Sequence, residues 1–268
     1  MNCARSRLFL LQLVMLLPCS AIPAQSNGTP AAKTKTPILI ELFTSEGCSS
    51  CPPADAWLRR LDAAQPIPGA QAIVLSEHVD YWNHDGWKDP FSSPLLTERQ
   101  SEYARILGLS SPYTPQLIVN GKSELQLTDN EQVSKVLLEA AKASPVPIAI
   151  GAISVNADSP DVLRAHIVAD GTAQKHDADI FAVLAIDHAE SQVLHGENGG
   201  RHLTHVAVAQ EVVKIGKIEK GKTFNGDYRA KLKPGQNPKN LRLVVFIQDS
   251  GPGEVLGAAE QEITFPTK

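Results

Sequence analysis

Short apolar runs divide the chain into two textures. Between residues 37 and 145 they alternate with helical periodicity. Ile38-Leu39-Ile40-Glu41-Leu42-Phe43 predicts a buried strand, closed by the turn composition Thr44-Ser45-Glu46-Gly47. Pro52 to Leu61 follows, with apolar residues at 54, 57, 58 and 61, the spacing of an amphipathic helix, and with two prolines in a first turn whose N–H groups need no partner. Ala72-Ile73-Val74-Leu75 is a second strand and Thr97–Leu107 a second helix. Gln116–Val119 is a third strand turning at Asn120-Gly121, with Leu125–Leu127 returning. A last helix is capped by Asp129 or Asn130 and runs to about Ala143.

From Pro145 the pattern becomes short alternating runs with turn residues between them, at 148–155, 162–168, 180–186, 207–215 and 241–247. This predicts an all-β, antiparallel sandwich-like domain over 146–268, after an α/β domain over 37–145 that carries a polar and aromatic insertion at 77–94.

The first residues read differently. Arg5 and Arg7, the apolar run Leu8–Leu17 and small residues up to Ala24 have the three regions of a secretory signal, and the run is too short to span a bilayer. Residues 25–36 have the composition of a flexible leader. The expectation is a periplasmic or secreted protein with no membrane attachment after signal removal. Cys19 would suit lipid attachment, but Pro18 stands where that signal wants a small residue. Loss of the first 24 residues takes the formal charge from -4 to -6, because Arg5 and Arg7 are the charges removed. So mild an acidic balance gives no electrostatic case for binding nucleic acid.

Cys3 and Cys19 fall in the signal, which leaves Cys48 and Cys51. A loop this short restrains the unfolded chain little, so the pair reads as chemical rather than structural. Its place after a buried strand and at a helix start favours a thiolate on Cys48, through the unpaired N–H groups and the positive end of the helix dipole. Cys48, ahead of the helix, is expected to be the more exposed, attacking sulfur and Cys51 the buried, resolving one.

The order strand, Cys-x-x-Cys helix, strand, helix, Thr-Pro, hairpin, helix resembles the thioredoxin fold. That resemblance implies a cis Thr114-Pro115 bond facing the cysteines and a substrate groove shaped by Thr114 and Pro115. Longer stretches narrow the match: Glu41–Asp55 around the cysteines, His78-Val79-Asp80-Tyr81-Trp82, Gly86–Phe91, Glu98-Arg99-Gln100, Tyr113-Thr114-Pro115-Gln116 and Gly196–Arg201. Together they resemble a secreted bacterial family of unknown function, DUF1223, across nearly the whole mature chain. Ser49-Ser50 replaces the Gly-Pro of thioredoxin, so the redox direction does not carry over.

Three functions are open at this point. The first is a thiol–disulfide oxidoreductase acting on protein thiols or disulfides with a separate redox partner, and needing no cofactor beyond its own disulfide. The second is a copper or zinc carrier using Cys48, Cys51 and His78, or His84 in its place. Only two methionines occur, both in the signal, and no dense His/Met cluster supports the metal. The third is a redox-sensitive docking module. His78, Asp80 and Glu46 are candidate auxiliary residues: alternation puts His78 and Asp80 on one face after the second strand, where Asp80 could orient His78, or His78 could simply brace the Trp82 and Trp87 insertion. The stretch His195–His205 lacks the strand-to-helix context of a phosphate loop and reads as a turn between strands, with Arg201 available to pair an acid.

Overall fold

Strand β1 (Thr36–Thr44) is buried on both faces from Ile38 onward, which explains its near-continuous apolar sequence. In the computed structural model, which describes residues 35–156 and 159–263, it leads through the Cys-x-x-Cys turn into α1 (Pro52–Ala64) and then β2 (Ala70–His78), parallel to β1. The signal read at 1–24 and most of the leader at 25–36 lie outside the described residues.

A single 3-10 turn at Tyr81–His84 opens the insertion, and α2 (Pro94–Ile106) follows, capped by Ser93. It starts three residues before the expected Thr97 because Pro94 sits in its first turn. β3 (Gln116–Val119) pairs antiparallel with β1 and with β4 (Ser123–Leu125), and α3 (Asn130–Ala140) is capped by Asp129. The hairpin turn is required as well as predicted. Gly121 has φ of 67°, and a Cβ there would lie 2.1 Å from the Gly253 carbonyl oxygen.

The strands after residue 145 divide between two sheets. β5 (Ile148–Ile150), β6 (Ser154–Asn156), β7 (Ser159–Asp170) and β10 (Thr223–Lys231) form the smaller one. β8 (Ala178–Gln192), β9 (His202–Ile218), β11 (Leu241–Gln248) and β12 (Val255–Glu262) join the first-half strands in an eight-stranded sheet of order β12-β11-β8-β9-β2-β1-β3-β4. The join is a short parallel contact of β9 with β2, Ser76 opposite Val208.

Alternation along β8 and β11 serves two cores. Val183, Ala185, Val244 and Phe246 pack with Ile40, Leu42, Leu58 and Val74. Ile180, Ala182, Leu184, Leu243, Val245 and Ile247 face the smaller sheet and pack on Leu163, Ile167 and Tyr228. The large sheet also curls: the Val255 N–H donates to the Asn120 carbonyl at 2.9 Å, bringing β12 back beside the β3–β4 hairpin.

Charge is enclosed where the sheet curls. Arg99 of α2 donates through Nε to Glu41 Oε1 at 2.9 Å, lies 3.7 Å from Glu77 Oε2, and stacks 5.3 Å over Phe246. Tyr103 donates to Glu41 Oε2 at 2.7 Å and accepts from Gln248 Nε2 at 2.7 Å. Both oxygens of Glu77 are buried without a hydrogen-bond partner. Burial, reinforced by the Glu41 carboxylate and opposed by Arg99, holds the Glu77 carboxyl well above its ordinary range. The folded protein therefore keeps a proton that the unfolded chain gives up, and stability falls as pH rises above the usual glutamate range. Glu77→Gln removes this loss. Its unfolding free energy relative to the parent, from urea titration, is expected to rise between pH 5 and pH 8, by at most about 1.4 kcal/mol per pH unit. A difference that stays constant with pH would show that Glu77 is not held protonated.

Candidate functional site

The site begins where β1 ends. The turn Thr44–Cys51 is closed by Cys48 N–H to the Ser45 carbonyl and Cys51 N–H to the Cys48 carbonyl, each 3.2 Å. Cys51 is the N-cap of α1, with prolines directly after it, and is disulfide-bonded to Cys48. Ser50 Oγ lies 3.3 Å from Cys48 Sγ. The expected asymmetry in exposure is not found: both cysteines are completely buried, and Ser49 and Ser50 are what solvent meets.

Two segments distant in sequence pack against this turn. The insertion lays Trp82 against the turn so closely that a Cβ on Gly47 would meet Trp82 Cβ at 2.9 Å, and the Trp82 indole N–H donates to Thr114 Oγ1 at 2.8 Å. From the other half, the turn between β8 and β9 reaches over the motif. Asn198, fully buried, donates to the carbonyls of Glu46 (2.8 Å) and Cys48 (2.9 Å), and Glu197 accepts the Ser49 N–H at 3.0 Å.

Behind the disulfide lies a cluster of buried polar side chains. Glu46 accepts from the Trp87 indole at 2.8 Å and from the Ser191 hydroxyl, and lies 3.1 Å from His205 Nε2. His205 Nδ1 is 3.8 Å from Asp55 of α1 and its ring packs edge-on against His78 at 4.6 Å. His78 Nδ1 is 2.7 Å from Asp89 Oδ2, which also accepts the Glu46 N–H.

Burial disfavours a charged His78, but the Asp89 carboxylate outweighs it and holds the imidazole above its ordinary range. Burial works on Asp89 in the other direction, and attraction to His78 leaves that carboxyl below its usual range. Burial raises the Asp55 carboxyl against the pull of His205 and His78. His78 Nε2, His205 Nδ1, Asp55 Oδ1 and Asn198 Oδ1 are buried without a hydrogen-bond partner, a polar interior of the kind that takes up internal water.

The partner of His78 is therefore Asp89 and not Asp80. The strand alternation stops at His78: Asp80 stands just before the 3-10 turn and its carboxylate accepts from Thr97 Oγ1 at 2.6 Å. The Thr114-Pro115 bond is cis, and Pro115 borders a groove of about 590 Å³ lined by Ser50, Trp57, Tyr113 and Leu127. His84, His195 and His202 are exposed, and among the described residues Arg201 makes no ion pair and no group of three or more His, Cys, Asp or Glu side chains is arranged to hold a metal ion.

Asp55, Asp89, Ser191, Glu197, Asn198 and His205 complete the site without having been expected there. Asp55 carries a weak signal, an acid on the apolar side of its helix next to Ala54 and Leu58. Asn198 and His205 flank the glycine turn, and only the join of β9 to β2 brings them in.

No curated protein sequence matches this chain. A crystal structure of protein AGR_C_4864 from Agrobacterium tumefaciens is similar, at 26% identity and a TM-score of 0.68, with 88% of this chain and 98% of that one covered. A domain of the outer membrane lipoprotein Omp28 from Porphyromonas gingivalis overlaps 46% of this chain and 95% of that one at 18% identity, with a TM-score of only 0.28. Residues 39–248 match the model of the protein family of unknown function DUF1223, from the first buried strand to the last residue of β11, and the chain belongs to that family.

Proposed function

We propose that this protein is an exported thiol–disulfide oxidoreductase with a thioredoxin-like first half, Cys48 the attacking and Cys51 the resolving sulfur. The observation that carries this reading is the Cys48–Cys51 disulfide at the N-terminus of α1, backed by the buried Glu46, His205 and Asp55. A structural cross-link over so short a loop would contribute little and would need no acid–base groups behind it.

In the reducing direction, the Cys48 thiolate bonds to one sulfur of a substrate disulfide and expels the other as thiolate. Cys51 then attacks Cys48 Sγ and releases the second substrate sulfur. The substrate gains two electrons and two protons, and the Cys48–Cys51 bond is formed. In reverse, a dithiol is oxidised and the pair is reduced. The disulfide itself is the redox group, and the buried carboxyls and imidazoles are suited to taking up and returning the protons. The groove beside Pro115, with Trp57 and Tyr113 at its edge, supports protein thiols or disulfides as substrates.

Equilibration of the purified protein with glutathione buffers, followed by thiol trapping, tests this reading. A potential near or above about -180 mV makes it a disulfide donor or isomerase, and one near about -270 mV a reductant that needs an electron supply. A pair that stays oxidised well below about -300 mV is a structural disulfide, and the reading then fails.

A further inference from the structure

A disulfide with no exposed atom cannot be attacked where it lies, because exchange needs a thiolate to approach one sulfur. Something must move. The turn between β8 and β9 is built to do so as a unit. It is closed on itself by Val193 N–H to the Arg201 carbonyl (3.0 Å), Gly200 N–H to the Val193 carbonyl (2.8 Å) and Arg201 N–H to the Asn198 carbonyl (3.1 Å). Its hydrogen bonds to the Cys-x-x-Cys turn are few: the Glu197 carboxylate on the Ser49 N–H, and the Asn198 amide on the Glu46 and Cys48 carbonyls. Swinging the turn away breaks these three bonds and lifts Gly196 off Asp85 and Trp87, where a Cβ on the glycine would lie 3.0 and 3.2 Å from its neighbours, and it leaves the turn's own bonds intact.

We propose that residues 193–201 form a gate over the Cys48–Cys51 disulfide, pinned by Asn198 and latched by Glu197, and that a thiolate on Cys48 releases the latch. The gate is a regulation of the oxidoreductase site and rests on that reading. When a substrate dithiol reduces the pair, its first thiolate bonds to Cys48 Sγ and the electron pair of the broken bond goes to Cys51. Its second thiolate then closes the substrate disulfide and expels Cys48 as thiolate; one of the two protons of the dithiol ends on Cys51 and the other passes to solvent. At that moment a negative sulfur stands beside the residue whose N–H Glu197 holds, so two anions compete for the positive end of α1. Repulsion favours the open gate in the reduced protein, and the neutral disulfide favours the closed one.

Asn198→Ala removes the pin. Glu197→Gln keeps a carbonyl for the Ser49 N–H and removes only the charge, at an exposed position where folding is not at risk. Reduction of the oxidised protein by dithiothreitol is expected to be about tenfold faster in Asn198→Ala, the equivalent of one or two lost hydrogen bonds. In Glu197→Gln the glutathione equilibrium is expected to shift roughly two- to fivefold toward the dithiol at pH values where Cys48 is ionised, and the shift should shrink in about 0.5 M salt. A parental reduction rate in folded Asn198→Ala, or a parental equilibrium in Glu197→Gln at low salt, overturns the gate. The dithiothreitol rate does not depend on where the potential lies. A pair that resists glutathione but opens faster in Asn198→Ala would therefore sink the oxidoreductase reading and leave the gate standing.

Discussion

Arg99→Leu is expected to lower folding stability by about 3–5 kcal/mol, read as a fall in the urea midpoint at pH 7. The guanidinium is the positive charge enclosed with Glu41 and Glu77, and both carboxyls are completely buried. Leucine fills much of the space beneath Phe246 but leaves Glu41 with a carboxylate that only Tyr103 can satisfy. The cause can be separated from lost packing. If Arg99→Leu owes its effect to the stranded charge, adding Glu41→Leu should recover most of the loss, since an apolar pair can replace a buried ion pair at little cost. A loss below about 1 kcal/mol in the single variant would mean that the ion pair is idle.

Cys51→Ser is expected to abolish turnover of a disulfide substrate while trapping it. With no second sulfur to attack, the mixed disulfide on Cys48 persists and is seen as an adduct by mass spectrometry that a reductant removes. Cys48→Ser should lose turnover without giving an adduct. If instead Cys48→Ser accumulates the adduct and Cys51→Ser does not, the roles of the two sulfurs are exchanged. An absence of adduct in both, with turnover retained, would take the chemistry away from this pair.

Much of the first half was legible in the sequence because its signals are local. A buried run before a glycine turn, prolines at a helix start and Asn-Gly between two strands each depend on neighbours within a few residues, and β1, α1 and the β3–β4 turn lie where those signals put them, although the returning strand is Ser123–Leu125 and not Leu125–Leu127, because it pairs with β3 directly after the turn. The motif itself was legible for the same reason, since both cysteines and the helix end that could activate them are contiguous.

What the sequence left hidden depends on pairing across long separations. The strand texture after residue 145 was clear, but nothing local distinguishes β8 and β9, which extend the first sheet, from β7 and β10, which build the second. His205 alternates with apolar neighbours like any strand histidine, and Asn198 looks like a turn residue. Each acquires its role only from what lies opposite. Asp80 and Asp89 show the same limit at short range: both follow His78 closely, and the 3-10 turn decides which of them bends back to it.

The join of β9 to β2 has a consequence for the order in which the protein can acquire its chemistry. The hydrogen bond from Asn198 to the Cys48 carbonyl spans 150 residues, so the finished site belongs to the non-local contacts, which close late because the entropy of a long loop must be met first. A chain folded only through its first half has the Cys48–Cys51 turn and an unpaired β2 edge, but neither the Asn198 and Glu197 contacts nor the histidine beside Glu46. It is a transiently exposed dithiol, open to whatever oxidant or mixed-disulfide partner meets it. Only when β9 docks does the pair acquire its contacts with Asn198 and Glu197. On the oxidoreductase reading proposed above, maturation is thus a passage from indiscriminate to guarded reactivity, timed by the arrival of the chain's own second half.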